Sequence, residues 1–246
     1  MPEINILLFL TLVAIGAVVQ TITGFAMGLI IIAGVTALDV ADISFSAAVI
    51  SFISLANTVV ALRQSHRHVD LYYLKWITAG MVPFLIVGFL LLEFLSNQYY
   101  SSLKTFLGIV IISGGIMLMI TPSPFNEVSS RSSIGFTGVL GGIIAGLYSA
   151  GGAPLAYFMY RQPLELIIIR STLLGVFAVS TICRSMIAGV AGHIDKSVLS
   201  TTAIAIPVVV IVTMLTGRVL HLIPDKLVRR VVFILLIGVG SFLIVR

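Results

Sequence analysis

The chain has 246 residues, of which 59% are hydrophobic and only 9% are charged. A soluble domain is typically about 45–50% apolar and about 25% charged, so this composition excludes a water-soluble globule. The net charge of +5 indicates basic residues gathered on the cytoplasmic face of a membrane rather than nucleic-acid binding. We therefore predict an all-α, polytopic integral membrane protein.

Eight long apolar segments follow one another along the chain, on the scale of the about 20 residues that a membrane span needs. They cover residues 4–38, 43–62, 71–92, 101–120, 134–160, 166–190, 198–217 and 226–245. Residues 121–133, which contain Pro122, Pro124 and several serines, form the longest interruption. This pattern predicts a first repeat over residues 1–120, a linker over 121–133 and a second repeat over 134–246.

The two halves resemble each other. A shift of 126 residues places Gly16 on Gly142 and Ser54 on Ser180. In both halves one long, glycine-rich segment is followed by three simpler segments. Internal repeats of this kind are common in transporters.

The first segment of each half has a break at its centre. Residues 4–38 are too long for one span and short for two at 1.5 Å per residue. Their centre reads Gln-Thr-Ile-Thr-Gly-Phe-Ala-Met-Gly, and the matching centre reads Gly-Leu-Tyr-Ser-Ala-Gly-Gly-Ala-Pro, ending at Pro154. Proline disrupts the helix before it. We expect both segments to fold back as re-entrant hairpins.

The positions of the basic residues favour the hairpins over full spans. If all eight segments crossed the membrane, the two faces would carry six and seven basic residues, with Arg184 inside a segment. If the first and fifth segments fold back, one face carries ten and the other keeps Lys104, Lys196 and Arg246. The second distribution is the one that the positive-inside rule requires. It predicts inverted halves with both termini outside the cytoplasm.

The two breaks are the expected substrate site. A helix break inside a membrane is tolerated only beside a cavity or buried protein, and transporters place their substrates between such breaks near the midplane. Helices that begin after a glycine-rich turn present free N–H groups, which suit an anion. The alternative is that the small residues only allow close helix packing. The candidate residues are Gln20, Thr21, Thr23, Gly24, Phe25, Ala26, Met27, Gly28, Tyr148, Ser149, Ala150, Gly151, Gly152 and Ala153.

Arg184 is the most informative charge, because it lies about six residues from the end of an apolar segment. A charge there costs at least about 2.5 kcal/mol unless it faces a cavity or a partner. We interpret it as the counter-charge for an anionic substrate; the alternative is a snorkelling or structurally paired arginine. In the repeat, Arg184 matches Thr58 of the first half, and the preceding Cys183 matches Asn57. All four residues belong to the candidate site.

Two further polar features stay open between function and structure. Ser51, Ser54 and Thr58 share one helical face, which indicates either a polar path or helix–helix hydrogen bonds. Cys183 is either part of that path or an inert buried thiol.

The chain shows no convincing catalytic motif. Ser149 lacks the G-x-S-x-G context of an esterase elbow, and no metal-ligand or nucleotide-binding motif is present. We therefore expect no catalytic residue, metal or cofactor. No carboxylate lies in the middle of a segment, which argues against a cation site.

The motif Thr23-Gly-Phe-Ala-Met-Gly28, with Gly142-x-x-x-Gly146 and the run from Ala150 to Pro154, resembles the TauE/SafE family of four-plus-four membrane transporters over the whole chain. Ala26 stands where that family often has glycine, and Tyr148-Ser149 is more polar than is usual there. The resemblance implies transport of sulfite, sulfoacetate and other organosulfonates.

The expected function is therefore secondary export of small sulfur oxyanions by alternating access, in the bacterial inner membrane. The partners are the anion and the lipid bilayer, with coupling to protons or to the membrane potential; no nucleic acid is expected, and a homodimer stays open. The alternatives are an anion channel, an intramembrane enzyme that uses Ser149, and a structural subunit.

Overall fold

The structure, a computed structural model, describes residues 5–63, 65–119, 125–219 and 225–245. Within these ranges the chain is helical, with one short 3₁₀ turn at His66–His68 and no strand. The α-helices are α1 (Ile6–Thr23), α2 (Met27–Ala37), α3 (Ile43–Leu62), α4 (Leu71–Gln98), α5 (Tyr100–Met119), α6 (Arg131–Tyr148), α7 (Gly152–Met159), α8 (Leu166–Val190), α9 (Lys196–Val219) and α10 (Asp225–Val245).

The helices form a multi-pass membrane protein, as predicted. In the described part of the chain, α1, α3, α4, α5, α8 and α9 are long and apolar enough to cross a membrane. Leu90, Ile211 and Ile234 are more than half exposed on the outside of the bundle. A surface with many such side chains requires lipid rather than water around it. The all-α, polytopic fold class is confirmed.

Helices α1 and α2 fold back on each other and form the first hairpin. Gly34 of α2 packs against Leu12, and Gly16 packs against Met27. Helix α1 ends at Gly24 with a φ of +82°, and Ala26 has the same φ at the start of α2. A left-handed alanine costs about 1–2 kcal/mol, so the surrounding contacts must enforce this turn.

Helices α6 and α7 form the second hairpin in the same way. Ser149 ends α6 with a φ of +55°, and its N–H donates to the Ala145 carbonyl oxygen at 2.9 Å. Leu155 of α7 returns to pack on Gly141. The break therefore lies at Ser149–Gly151. Pro154 lies instead in the first turn of α7, where a missing N–H leaves no hydrogen bond unmade.

The two hairpins start from opposite ends of the bundle. Helix α6 runs parallel to α4, since Gly80 contacts Gly135 and Gly88 contacts Ile143. The segment after α7 returns to the start of α4, where Tyr73 Oη donates to Gln162 Oε1 at 3.0 Å. Helix α3 crosses the bundle and ends where α4 begins, so α3 starts at the opposite end. The first hairpin, which precedes α3, therefore begins at that opposite end.

We call the end at which α4 begins the basic end. Among the described residues it carries Arg63, Arg67, Lys75, Arg131, Arg161, Arg170, Arg218 and Arg230, whereas Lys104 and Lys196 lie at the opposite end. Both halves consist of a hairpin followed by three long helices. The internal repeat and the division into two repeats and a linker stay predictions, which this shared order supports.

Two predicted boundaries differ from the structure by three residues or more. Helix α6 begins at Arg131, inside the predicted linker, because Ser130 Oγ accepts a hydrogen bond from the Ser133 N–H and caps the helix. Helix α4 continues to Gln98, six residues past the apolar run. Residues 121–124 of the linker lie outside the described residues.

Candidate anion-binding site

The tips of the two hairpins lie against each other inside the bundle. Gly28, in the first turn of α2, is so close to the carbonyl oxygen of Ser149 that a Cβ at Gly28 would overlap it. Gly152 lies beside the Phe25 side chain in the same way, with 3.1 Å from a Cβ position to Phe25 Cβ. Only small residues allow backbones to approach this closely. The predicted meeting of the two breaks is therefore present in the fold.

A small cavity, which we call the central cavity, lies between the tips and has a volume of about 20 Å³. This volume accommodates about one water molecule. Helices α2 and α7 both begin at its wall, so the free N–H groups of two helix N-termini lie beside it. Eight predicted residues line it: Gln20, Ala26, Gly28, Ser149, Ala150, Gly151, Gly152 and Arg184.

Arg184 is buried at 2% exposure. Its Nε donates to the carbonyl oxygens of Ala145 and Gly146 at 3.0 and 3.2 Å. Its Nη1 donates to the Ala47 carbonyl oxygen at 2.8 Å and to Ser51 Oγ at 3.0 Å. Two edges of the guanidinium group are thus fixed by α6 and α3.

The charge of Arg184 has no carboxylate partner among the described residues. The ion pairs in those ranges are Lys104–Asp39 and His193–Glu93. The carbonyl oxygens of Ala145 and Gly146 lie near the C-terminal end of α6, whose negative dipole compensates only part of the charge of Arg184. None of its hydrogen bonds to described residues uses Nη2. A buried, incompletely compensated cation costs several kcal/mol, and an anion in the cavity would remove that cost.

Two hydroxyl groups connect Arg184 to the tip of the second hairpin. Ser51 Oγ lies 2.7 Å from Ser149 Oγ, and Ser149 Oγ donates to the Ala47 carbonyl oxygen at 2.8 Å. No histidine or carboxylate of the described chain hydrogen-bonds Ser149, so its hydroxyl lacks the base that a nucleophile needs.

A second polar cluster, the Asn57 cluster, consists of Gln20, Asn57 and Thr213. Gln20 Nε2 donates to Asn57 Oδ1 at 2.8 Å, and Asn57 Nδ2 donates to Thr213 Oγ1 at 2.7 Å. Thr58 lies beside it, with its Oγ1 3.4 Å from Gln20 Nε2. Asn57 and Thr58 are fully buried behind Gln20 and do not line the central cavity.

The remaining predicted residues lie outside the cavity wall. Thr23 Oγ1 is 2.8 Å from the carbonyl oxygens of both Val19 and Phe25, so it stabilises the turn itself. Tyr148 Oη donates to the Leu103 carbonyl oxygen at 2.9 Å. Cys183 is half-buried on another face of α8. The residues outside the wall are Thr21, Thr23, Gly24, Phe25, Met27, Asn57, Thr58, Tyr148, Ala153 and Cys183.

Several lining residues were missing from the predicted set. Ser180 and Thr181 lie one turn before Arg184 on α8, a spacing that the sequence does show. Ser54 was predicted only as part of a polar path. The other lining residues are apolar and carry no sequence signal: Leu29, Met81, Ala145, Leu155 and Phe177.

A larger cavity, which we call the vestibule, opens at the basic end and has a volume of about 450 Å³. It lies among α1, α3, α8 and α9, and Ser65, Arg170 and Gly217 are part of its wall. Thr21 and Thr213 also line it. Because Asn57 hydrogen-bonds both Gln20 and Thr213, the Asn57 cluster separates the vestibule from the central cavity.

Sequence comparisons with known proteins cover most of the chain. The sequence model of the family described as "Sulfite exporter TauE/SafE" matches residues 8–243. The chain is 36% identical over 232 residues, 94% of this chain and 91% of the relative, to a Cupriavidus necator protein described as "Probable sulfite/organosulfonate exporter TauE". No solved structure matches the chain.

Proposed function

This chain belongs to the TauE/SafE sulfite exporter family, and we propose that it exports small sulfur oxyanions, sulfite or short organosulfonates, by binding them between the two hairpin tips. The family and the C. necator relative are exporters rather than enzymes, so the chain is a membrane transporter.

The single observation that carries the proposal is Arg184, a buried cation without a carboxylate partner in the described chain, beside two helix N-termini. The remaining nitrogen of the guanidinium group, Nη2, can donate charge-assisted hydrogen bonds to an oxyanion, and helix N-termini can donate to its other oxygen atoms. The contacts of Nε and Nη1 with Ala145, Gly146 and Ala47 orient the group in advance. This preorganisation favours a compact anion with several oxygens.

The volume of the central cavity supports transport by alternating access. About 20 Å³ is too small for sulfite, as expected of a carrier that is closed at both ends. Towards the basic end the closure is the Asn57 cluster. Towards the opposite end it is Phe89, whose ring centroid lies 5.6 Å from the Arg184 guanidinium carbon and 5.4 Å from the His193 ring. His193 Nε2 in turn lies 2.9 Å from Glu93 Oε1.

The charge distribution supports export from the cytoplasm of a bacterium. The positive-inside rule places the basic end, and with it the vestibule, on the cytoplasmic side of the inner membrane. The inside-negative potential favours expulsion of an anion by about 2.3 kcal/mol per charge per 100 mV. The potential alone therefore supplies a driving force.

The test is countertransport in proteoliposomes. Vesicles loaded with unlabelled sulfite are expected to accelerate uptake of labelled sulfite, because a carrier returns faster with substrate bound. An anion channel shows no such acceleration, so its absence alongside measurable flux would favour the channel. Calorimetry with sulfite, sulfate, sulfoacetate and carboxylates identifies the substrate, and carboxylates binding more tightly than all sulfur anions would contradict the proposal.

A further inference from the structure

We propose that the vestibule is a second anion-binding site, a loading site that holds a short aliphatic sulfonate at Arg170 and Ser171 before it reaches Arg184. The inference rests on the proposed function and adds to it a separate location and a preference for an organic sulfonate over a bare inorganic anion.

The polar part of the vestibule includes a hydroxyl group that lacks a hydrogen bond. Ser171 is 1% exposed, and its Oγ has no hydrogen-bond partner among the described residues. An unsatisfied buried polar group is unfavourable, and a hydrogen bond to a ligand oxygen would remove this cost. Arg170, one residue earlier in the first turns of α8, lines the same cavity and supplies a positive charge for the sulfonate group.

The remaining wall is largely apolar. Val60, Leu166, Leu174 and Met214 line the vestibule around Arg170 and Ser171. A volume of about 450 Å³ is within the usual range of small-molecule sites, about 300–1,000 Å³. A wall that combines the positive charge of Arg170 with apolar side chains matches a sulfonate that carries a short alkyl chain.

The vestibule adjoins both the substrate path and the first hairpin. Thr213 of the vestibule wall accepts a hydrogen bond from Asn57, which also accepts one from Gln20 in the central cavity. The tip of the first hairpin rests on the loading site, because a Cβ at Gly24 would lie 3.3 Å from Arg170 Cα. The Asn57 cluster therefore separates an anion at Arg170 from the central cavity.

The test uses a cysteine as reporter of occupancy. In the full-length protein, Cys183→Ser removes the native thiol and Ala61→Cys places one in the vestibule wall. Propane-1-sulfonate is expected to slow the reaction of this thiol with N-ethylmaleimide, an uncharged reagent, whereas propyltrimethylammonium leaves it unchanged. Arg170→Gln is expected to weaken protection at least tenfold, and Ser171→Ala several-fold.

Two matched arginine variants separate this site from the central one. Arg184→Gln is expected to keep the protection although it stops countertransport, and Arg67→Gln, at an exposed position of the same end, changes neither. Protection that survives both Arg170→Gln and Ser171→Ala would overturn the loading site, as would protection lost in Arg184→Gln alone. Failure of countertransport in the unmodified protein would overturn the proposed function, whatever the labelling shows. Arg170→Lys, which retains the charge, restores protection if Arg170→Gln acts through charge rather than misfolding.

Discussion

Arg184 and Ser51 are joined by a hydrogen bond of 3.0 Å from Nη1 to Oγ, which connects α8 to α3 beside the hairpin tips. The same Ser51 Oγ lies 2.7 Å from Ser149 Oγ in the left-handed turn that ends α6. A ligand that draws the guanidinium group towards itself therefore also changes the contacts of the second hairpin. In the proposed mechanism, substrate binding and hairpin movement would therefore share one hydroxyl group.

Replacing Arg184 by glutamine is expected to weaken sulfite binding at least about 30-fold, or about 2 kcal/mol, because a buried charge contact with the anion is lost. Arg184→Lys keeps the charge but not the planar fork, so an intermediate loss is expected. Calorimetry measures both, with Arg67→Gln as the exposed control. Unchanged binding in folded Arg184→Gln would make Arg184 structural.

Replacing Ser149 by alanine is expected to shift the substrate affinity by a few-fold and to leave transport measurable. The variant loses hydrogen bonds to Ser51 and Ala47, each with a net contribution of about 0.5–1.5 kcal/mol. Complete loss of activity in a correctly folded Ser149→Ala protein would contradict a purely structural hydroxyl. Flux and thermal stability are measured on the same preparation.

Replacing Gly28 by alanine is expected to lower the melting temperature and to abolish flux. The added Cβ would overlap the Ser149 carbonyl oxygen, a backbone atom that no side-chain rotation moves away, and such overpacking typically costs about 1–3 kcal/mol. Gly238→Ala is the matched control, because a Cβ there meets nothing within 4 Å. If both variants behave alike, the hairpin tips do not need their close contact.

Replacing Asn57 by alanine is expected to open the path between the vestibule and the central cavity. It removes the hydrogen bonds to Gln20 and Thr213. A cysteine at Ser180, in the central cavity wall, should then react several-fold faster with N-ethylmaleimide in a Cys183→Ser protein. Thr202→Val, buried on α9 outside both cavities, serves as control. An unchanged rate would show that the Asn57 cluster is not the closure.

A reporter that fluoresces only in the cytoplasm is expected to stay dark when fused after Arg246. Helix α10 runs antiparallel to α5, since Gly108 contacts Ile244 and Gly115 contacts Leu236, so it ends opposite the basic end. One additional spanning helix before the reporter should restore fluorescence. A bright fusion without that helix would place the basic end outside.

The sequence allowed the helices, the breaks and the deep arginine to be predicted, because length, apolarity and glycine content depend on local chemistry. The bounds of α3 and α8 coincide with the apolar runs 43–62 and 166–190. The burial of Arg184 follows from its depth in such a run. The extension of α4 to Gln98 was missed, because a helix continues beyond the apolar part of a span.

Side-chain partners were beyond prediction, since they depend on tertiary contacts. Tyr148 was expected to donate to the substrate site, but its Oη reaches the Leu103 carbonyl oxygen of α5. The sequence around Thr213 does not predict its hydrogen bond with Asn57, because the two residues are 156 positions apart. Pro154 was expected to cause the second break, whereas the left-handed Ser149 ends α6.

The first hairpin has a consequence for how the protein is made. Its tip depends on partners that the ribosome supplies much later: the Thr23 carbonyl oxygen accepts from Tyr160 Oη at 2.8 Å, Gly28 packs on Ser149, and Gly24 packs on Arg170. Until those residues have been synthesised, the backbone polar groups at the break between α1 and α2 lack these partners within the membrane. The tip of the first hairpin is therefore expected to reach its final packing only after the C-terminal half has been synthesised.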